Sequence, residues 1–229
     1  MTRLPAAQRR EQLLKTAITL FAERGYSGAT TSELAKAAGV TEPIIYRHFR
    51  SKKDLFIAVI ERSSDLTMRL WERQLRNAAD PAHRLRRLLG ANPMVSEQGR
   101  GIYRVVIQAM MEIEDPDVLA ALQHHIAKIH EFVTHEVVLA QEAGQVSKRF
   151  SPEITAWLLL HVGLGYGVLA PLGVPHHAVD EQGVRVRDVI AELMLGERAR
   201  HLLDERMKHA PHETGGGSGP GPAGGGGGG

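Results

Sequence analysis

The sequence contains no cysteine among its 229 residues, and other common features are missing as well. Without cysteine the chain can form neither a disulfide framework nor a thiolate metal site. Its first residues (MTRLPAAQRREQ) lack the apolar stretch of a secretory signal. No segment alternates apolar and polar residues convincingly enough to predict a strand. These absences favour an all-α protein of the cytoplasm.

A strong overall charge is also missing, because the formal net charge is only +2. The charge is unevenly distributed, however. Residues 1–60 carry ten Lys/Arg and five Asp/Glu, whereas the remainder carries more acidic than basic residues. A basic end beside a mildly acidic body suggests that one end meets a polyanion. An imbalance of this size is also typical of ordinary solvated surface, so it supports that interpretation only alongside other signals.

Helical periodicity organises most of the chain, and prolines fall near the starts of several segments. Outside residues 30–51, helices are predicted at about 6–24, 52–78, 82–90, 101–113, 117–143, 152–170 and 181–209. Residues 211–229 are rich in glycine and proline. Because such a segment cannot bury apolar surface, it is predicted to be a disordered tail.

The most informative pattern in the chain lies in residues 30–56, which read TTSELAKAAGVTEPIIYRHFRSKKDLF. Thr30 with Glu33 three residues later forms a capping box that begins a helix. Gly39 can adopt the left-handed conformation that ends this helix. Thr41 is then placed to cap a second short helix. Two short helices joined by a tight turn predict a helix-turn-helix.

The second of these helices has two distinct faces. At 100° per residue, Ile45 and Phe49 point inward together, whereas Pro43 and Arg47 point the opposite way. Ser51 is placed to cap the helix that follows, whose positive N-terminus favours a phosphate. The outward face therefore carries the groups that would meet a nucleic acid.

The segment GVTEPIIYRHFRSKKDLF resembles the signature of the TetR family of transcriptional regulators, and the match extends upstream over the first quarter of the chain. The resemblance implies a DNA-binding domain (residues 1–51) and a helical domain for effector binding and dimerisation (residues 52–210). It further implies a homodimer on a palindromic operator of double-stranded DNA, usually a repressor, which a small molecule releases. An architectural DNA-binding protein without an effector is the alternative, and an enzyme built on the histidine-rich C-terminal domain is the least favoured.

The resemblance also implies a set of DNA contacts. Tyr46, His48 and Lys52 match phosphate anchors, and Arg47 could reach a phosphate or a guanine. Glu42 departs from the family, which often has lysine there; a carboxylate is repelled by phosphates but could accept from a cytosine amine. The full candidate set is Thr31, Thr41, Glu42, Pro43, Ile44, Tyr46, Arg47, His48 and Lys52.

Candidates for a ligand pocket come from the proposed C-terminal domain, where aromatic, methionine and a few polar residues could line an apolar cavity for a lipophilic or aromatic effector. Each is also a typical core residue. The candidates are Tyr103, Gln108, Met111, His124, Phe132, Trp157, His161 and Tyr166. The four histidines of segment 117–143 mostly lack the spacing that metal ligation requires, so neither a metal nor another cofactor is expected.

The stretch from Ile154 to Val174 contains no Asp, Glu, Lys or Arg and is long enough to span a bilayer. His161, four glycines and Pro171 lie within it, and no basic cluster flanks it closely. A helix that faces its own core on one side and a partner subunit on the other would be equally apolar. We favour this interpretation over a membrane span. Gly163 and Gly167 would allow helix backbones to approach closely.

Overall fold

The computed structural model describes residues 4–90, 97–175, 177 and 179–194, which form a bundle of α-helices. The helices are α1 (Ala6–Gly28), α2 (Thr31–Ala38), α3 (Glu42–Tyr46), α4 (Lys52–Leu75), α5 (Pro81–Gly90), α6 (Glu97–Ala109), α7 (Pro116–Glu142), α8 (Pro152–Leu169) and α9 (Val186–Met194). Short 3-10 turns follow α6 and α8. Within these residues the only β feature is an isolated bridge between Val179 and Arg185. The all-α prediction is confirmed, while the proposed tail and the end of the last predicted helix lie outside the described residues.

The predicted helix boundaries around α2 are confirmed at atomic detail. The Thr30 hydroxyl accepts a bond from the Glu33 amide at 3.1 Å, and the Glu33 carboxylate accepts one from the Thr30 amide at 3.0 Å. The bonds that the Thr30 amide and the Thr30 hydroxyl donate to this carboxylate lower the pKa of Glu33. Gly39 ends the helix with a φ of +64°. Ser51 caps α4 by accepting from the Asp54 amide at 3.0 Å. The turn that separates α2 from α3 therefore has a fixed geometry.

The side-chain cap predicted at Thr41 is wrong. Thr41 does occupy the N-cap position of α3, but its side chain accepts no bond from the helix. An N-cap side chain accepts from the second or third amide of the helix. Here the second residue is Pro43, which has no N–H, and the third amide, that of Ile44, donates to the Thr41 carbonyl at 2.9 Å. The Thr41 hydroxyl therefore remains available for another partner.

The N-terminal helices are organised around a group of aromatic rings. Phe21 packs edge-to-face on Phe56 with centroids 5.2 Å apart, and Tyr26 lies 4.5 Å from Phe56. Gly25, with a φ of +74°, breaks α1 just before Tyr26 and turns the chain back toward these rings. The same hydrophobic cluster continues through Ile45 and Phe49 into α4, α6 and the start of α7. The first turns of α4 thus share a core with the N-terminal helices, although the proposed domain boundary lies at residue 51.

Helices α4 and α7 run side by side in the same direction. Ser64 Oγ lies 2.8 Å from His125 Nδ1, with a sequence separation of 61 residues. Near the start of both helices, Lys53 binds Asp115 across a separation of 62 residues. Further along, the ring of Trp71 stacks on that of Phe132 at 5.5 Å. A nearly constant separation along both helices requires parallel packing, so α4 carries contacts from the N-terminal helices into the centre of the C-terminal bundle.

A buried ion pair joins α5 to α7. Glu136 is almost completely buried, and its two oxygens accept from Arg84 Nε at 2.6 Å and from a second Arg84 nitrogen at 2.5 Å. This bidentate contact raises the pKa of Arg84. Arg84 also donates to the Leu75 carbonyl at the end of α4. The pair therefore ties three helices together and leaves no uncompensated charge on Glu136.

Helix α8 packs against α7 with only one of its faces. Ala156, Leu159 and Leu160 are buried there, whereas Leu158 on the other side is 53% exposed. Among the described helices, Pro152–Leu172 is long and apolar enough to cross a membrane by length and composition, with 28% of that window buried. Its apolar character is therefore not explained by the core of this single chain.

The buried imidazole of His125 predicts a specific dependence of stability on pH. Burial, with smaller contributions from the nearby Lys128 and His124, lowers its pKa to about 4. Above its unfolded pKa the residue is neutral in both states and contributes nothing. Between about pH 6.5 and about pH 4 only the unfolded chain binds the proton, so the free energy of unfolding falls as the pH falls.

We expect this effect to reach about 2 kcal/mol between about pH 7.5 and about pH 5, measured by urea unfolding. The variant His125→Asn, which keeps a polar group near Ser64, should show a shallower pH dependence by that amount. His124→Gln alters the exposed neighbouring histidine and serves as the matched control. Equal pH dependence in the two variants would contradict the prediction.

Candidate DNA-binding surface

Helix α3 presents one face to the core and the other to solvent. Ile45 and Phe49 are buried, whereas Pro43 and Arg47 are exposed. The predicted division of the helix into inward and outward faces is confirmed. Of the other candidates on this segment, Thr41 and Tyr46 are exposed, while Glu42, Ile44 and His48 are half-buried. The structure therefore places the candidate base-reading residues on one accessible ridge.

Tyr46 and Thr31 come together although 15 residues separate them. The two hydroxyl oxygens lie 3.3 Å apart, which joins the start of α2 to the end of α3. The Tyr46 side chain remains 49% exposed. Either hydroxyl can donate to the other and still offer its second site to a phosphate oxygen. The pair holds the phenol in place without consuming its capacity to bind DNA.

Lys52 is held at the same edge by contacts that the sequence did not reveal. Its Nζ donates to the Ala29 carbonyl at 3.0 Å and lies 4.5 Å above the centre of the Tyr26 ring. Ala29 is in the turn just before α2. An ammonium group has three donors, so two remain after the bond to Ala29. Tyr26 and Ala29 thus orient the cation, and no local sequence pattern links them to Lys52.

Two arginines near the start of α1 have contacts within the protein. Arg9 donates to the Gln12 side chain at 2.5 Å, and the guanidinium of Arg10 lies 4.9 Å from the centre of the Phe49 ring. Sequence reasoning missed Arg50, whose side chain is almost fully exposed beside Asp54. The amide of Arg50 donates to Asp54 at 2.9 Å and lowers the pKa of that carboxyl.

A cluster of polar contacts joins this surface to the C-terminal helices. Lys53 Nζ binds Asp117 at 2.7 Å and Asp115 at 3.0 Å, and these bonds raise the pKa of Lys53. Asp115 is also the N-cap of α7. Next to it, the Ser27 hydroxyl donates to Glu112 at 3.4 Å. These contacts connect the start of α4 to the start of α7, so a displacement of one helix would displace the other.

The eight candidate pocket residues are not gathered around one cavity. Tyr103 is buried in the core and Phe132 is half-buried against Trp71. Gln108 is half-buried and donates weakly to the Ala22 carbonyl. Met111 is 83% exposed, so it lines no enclosed pocket within the described chain. The remaining candidates, His124, Trp157, His161 and Tyr166, are exposed or half-buried.

Trp157 and Tyr166 make contacts with the rings of histidines. Trp157 stacks on His130 at 4.4 Å, and Tyr166 lies 5.5 Å from His177. His124 lines a cleft of about 340 Å³ between α1, α4 and α7, beside Arg10, Arg62 and Lys128. That cleft is charged rather than apolar. In the part of the chain that the structure describes, no three histidine or carboxylate side chains come together as a metal site.

Comparison with known proteins places this surface in a family. Residues 13–59 match the model of bacterial regulatory proteins of the tetR family. The chain is 36% identical to the transcriptional activator FasR of Mycolicibacterium smegmatis over 53% of its own length and 55% of FasR. It is 27% identical to the transcriptional regulator UidR of Escherichia coli over 71% of its own length and 81% of UidR.

The fold has a close structural counterpart as well. A transcriptional regulator from Saccharomonospora viridis, solved in complex with choline, superposes with a TM-score of 0.66 at 20% identity, covering 89% of this chain and 97% of that one. FasR and UidR are named as regulators of transcription, and the family match coincides with the helices that carry the exposed ridge of α3. The match over residues 13–59 places the N-terminal part of the chain, with its helix-turn-helix, in the TetR family of bacterial regulatory proteins.

Proposed function

We propose that the protein is a cytoplasmic homodimeric repressor that binds a palindromic operator and is released from it by a small-molecule effector. The observation that carries the DNA-binding part is the accessible ridge of α3, with Pro43 and Arg47 outward and the Thr31–Tyr46 pair beside them. Tyr46, His48 and Lys52 would anchor phosphates, and residues 41–44 would face base edges in the major groove.

The outer face of α8 supports the dimer. Ile154, Leu158, Val168 and Leu169 are all exposed on this helix. A second copy of the chain would cover this apolar face and place two α3 helices on one side of the assembly. Two such helices match two half-sites related by a two-fold axis.

The link between α4 and α7 supports regulation. An effector that separated or rotated these helices would act on the Lys53 contacts to Asp115 and Asp117, and so on the spacing of the two α3 helices. The S. viridis regulator binds choline within the same fold. The alternative is an architectural DNA-binding protein without an effector, and it predicts that no small molecule reverses DNA binding.

FasR is named an activator, so the direction of regulation needs a transcription measurement. A reporter gene placed behind the selected operator should be transcribed less when the protein is bound. Higher transcription with the protein than without it would contradict repression while leaving operator binding intact.

Selection of bound fragments from a random DNA pool tests operator recognition. We expect inverted repeats whose half-sites lie about one helical turn apart or a multiple of it. Glu42→Ala should change the base preference at one position in each half-site, because this carboxylate would lose its contact with a base edge. Glu23→Ala removes an exposed carboxylate from α1 and is the control. An unchanged preference for Glu42→Ala would exclude a role in base reading.

The phosphate contact of Lys52 predicts a change in salt dependence. Lys52→Ala should weaken binding to all sequences alike and reduce the slope of log K against log salt by about one unit per subunit contact. Tyr46→Phe should also weaken binding to all sequences but leave the slope unchanged, because a phenol carries no charge. Lys148→Ala, far along the chain between α7 and α8, is the control. An unaltered slope for Lys52→Ala would show that its ammonium serves only Ala29 and Tyr26.

The dimer surface on α8 predicts that Leu158→Glu gives a monomer. Burial of an unpaired carboxylate is strongly unfavourable, so we expect dimer affinity to fall at least about 100-fold. Sedimentation equilibrium measures it, and Leu119→Glu, which changes an exposed leucine on α7, is the matched control. A dimeric Leu158→Glu variant, or a monomeric parent protein at micromolar concentration, would rule out this surface.

A further inference from the structure

Four polar side chains lie deep between α4, α6 and α7. They are Thr67 and Trp71 on α4, Tyr103 on α6 and His125 on α7, and none is more than 7% exposed. Polar groups buried this deeply are nearly always hydrogen-bonded. Each of the four side chains is therefore expected to have a hydrogen-bond partner.

Helix geometry places the four groups close together. Ser64, Thr67 and Trp71 follow one another at spacings of three and four, so they share one face of α4. Ser64 contacts His125, and Trp71 stacks on Phe132, which lies two turns further along α7. The side chain of Tyr103 reaches Thr67 from α6. The cluster thus spans about two turns of α4, or roughly 10 Å.

Three polar atoms of this cluster have no hydrogen-bond partner in the described part of the chain. They are Thr67 Oγ1, Trp71 Nε1 and His125 Nε2, of which Thr67 Oγ1 has the Tyr103 side chain beside it. The other two, Trp71 Nε1 and His125 Nε2, differ in what they can bind. The indole N–H can only donate, whereas the imidazole nitrogen can donate or accept according to its tautomer. Other contacts hold both rings in place: Trp71 stacks on Phe132, and His125 bonds to Ser64 through its other nitrogen. The fold therefore holds these two polar atoms in fixed orientations, and a bound small molecule would be a hydrogen-bond partner for them.

The cluster carries no charge. Burial keeps His125 neutral and raises the pKa of Tyr103 to about 12, so its phenol retains the proton. The one carboxylate buried among the described residues, Glu136, is already bound in bidentate fashion by Arg84. Among the described residues no Lys or Arg is buried, so an anionic ligand would meet no buried cation there, and a quaternary ammonium would meet no free buried carboxylate. Only an uncharged ligand avoids an unpaired buried charge.

We propose that this cluster is the polar end of the effector site and that the effector is an uncharged molecule whose carbonyl-type oxygen accepts a hydrogen bond from Trp71 Nε1. This inference rests on the proposed function, because it assigns a ligand class to the effector assumed there. His125 Nε2 would pair with a second polar group of the ligand, and Phe132 with buried Ile129 would contact its apolar part.

A matched set of small probes tests the ligand class on the full-length protein. Cyclohexanone, cyclohexanol and cyclohexanecarboxylate share a ring and differ in the attached group. The chain has two tryptophans, and the variant Trp157→Phe identifies the indole N–H signal of Trp71 in a ¹H–¹⁵N spectrum. We expect cyclohexanone to shift the Trp71 signal saturably downfield, cyclohexanol to bind more weakly, and cyclohexanecarboxylate to have no effect.

Two variants separate hydrogen bonding from packing. Trp71→Phe keeps a ring against Phe132 but removes the N–H, and should weaken cyclohexanone binding about tenfold, measured by ligand-detected NMR. Trp157→Phe removes an exposed ring on α8 and should leave the affinity unchanged. A Trp71 signal that no probe shifts, or one that the carboxylate shifts as strongly as the ketone, would overturn the proposal. In the former case ordered water would be the partner of these atoms.

Measurement of DNA affinity in parallel separates the two hypotheses. Cyclohexanone binding at Trp71 with unchanged affinity for the selected operator would preserve the neutral site and contradict its role in effector release. Release of the operator by a charged metabolite, with the Trp71 signal unmoved, would preserve effector release and overturn the neutral site.

Discussion

The parallel pairing of α4 with α7 is the constraint on which the rest of the structure depends. At the beginning of α4 Lys53 binds the acidic cap of α7, and at the middle of α4 Ser64 bonds to the buried His125. The first turns of α4 complete the core of the N-terminal helices, and its later turns enter the C-terminal bundle. A single rigid helix thus connects the exposed ridge of α3 with the uncharged cluster around Trp71.

Exposed cations and exposed apolar side chains lie at opposite ends of the protein. The basic N-terminal helices leave cations such as Arg47 and Arg50 in solvent, where a polyanion can reach them. The far end leaves apolar side chains of α8 exposed, which a second subunit would cover. In the proposed function each end would therefore bind a different partner, and α4 would link the two binding surfaces.

Local sequence signals predicted the parts that depend on neighbouring residues. The capping box at Thr30, the turn at Gly39 and the two faces of α3 follow from short-range geometry, and the structure confirms them. The cap at Thr41 was wrong because Pro43 removes the amide that the hydroxyl would have bound. Contacts between distant residues, such as Lys52 with Tyr26, had no local signature, since only packing brings α1 against the start of α4.

The sequence by itself determined the helical class, the helix-turn-helix and the residues that line its outer face, because helix periodicity and caps act over three or four positions. Only the tertiary structure decided which polar residues of the segment after residue 51 are buried together. Sequence reasoning chose Met111, which lies in solvent, and overlooked Trp71 and His125, which are buried together. The physical reason is that the register between α4 and α7 is set by the packing of whole helices, and no short segment of either one encodes it.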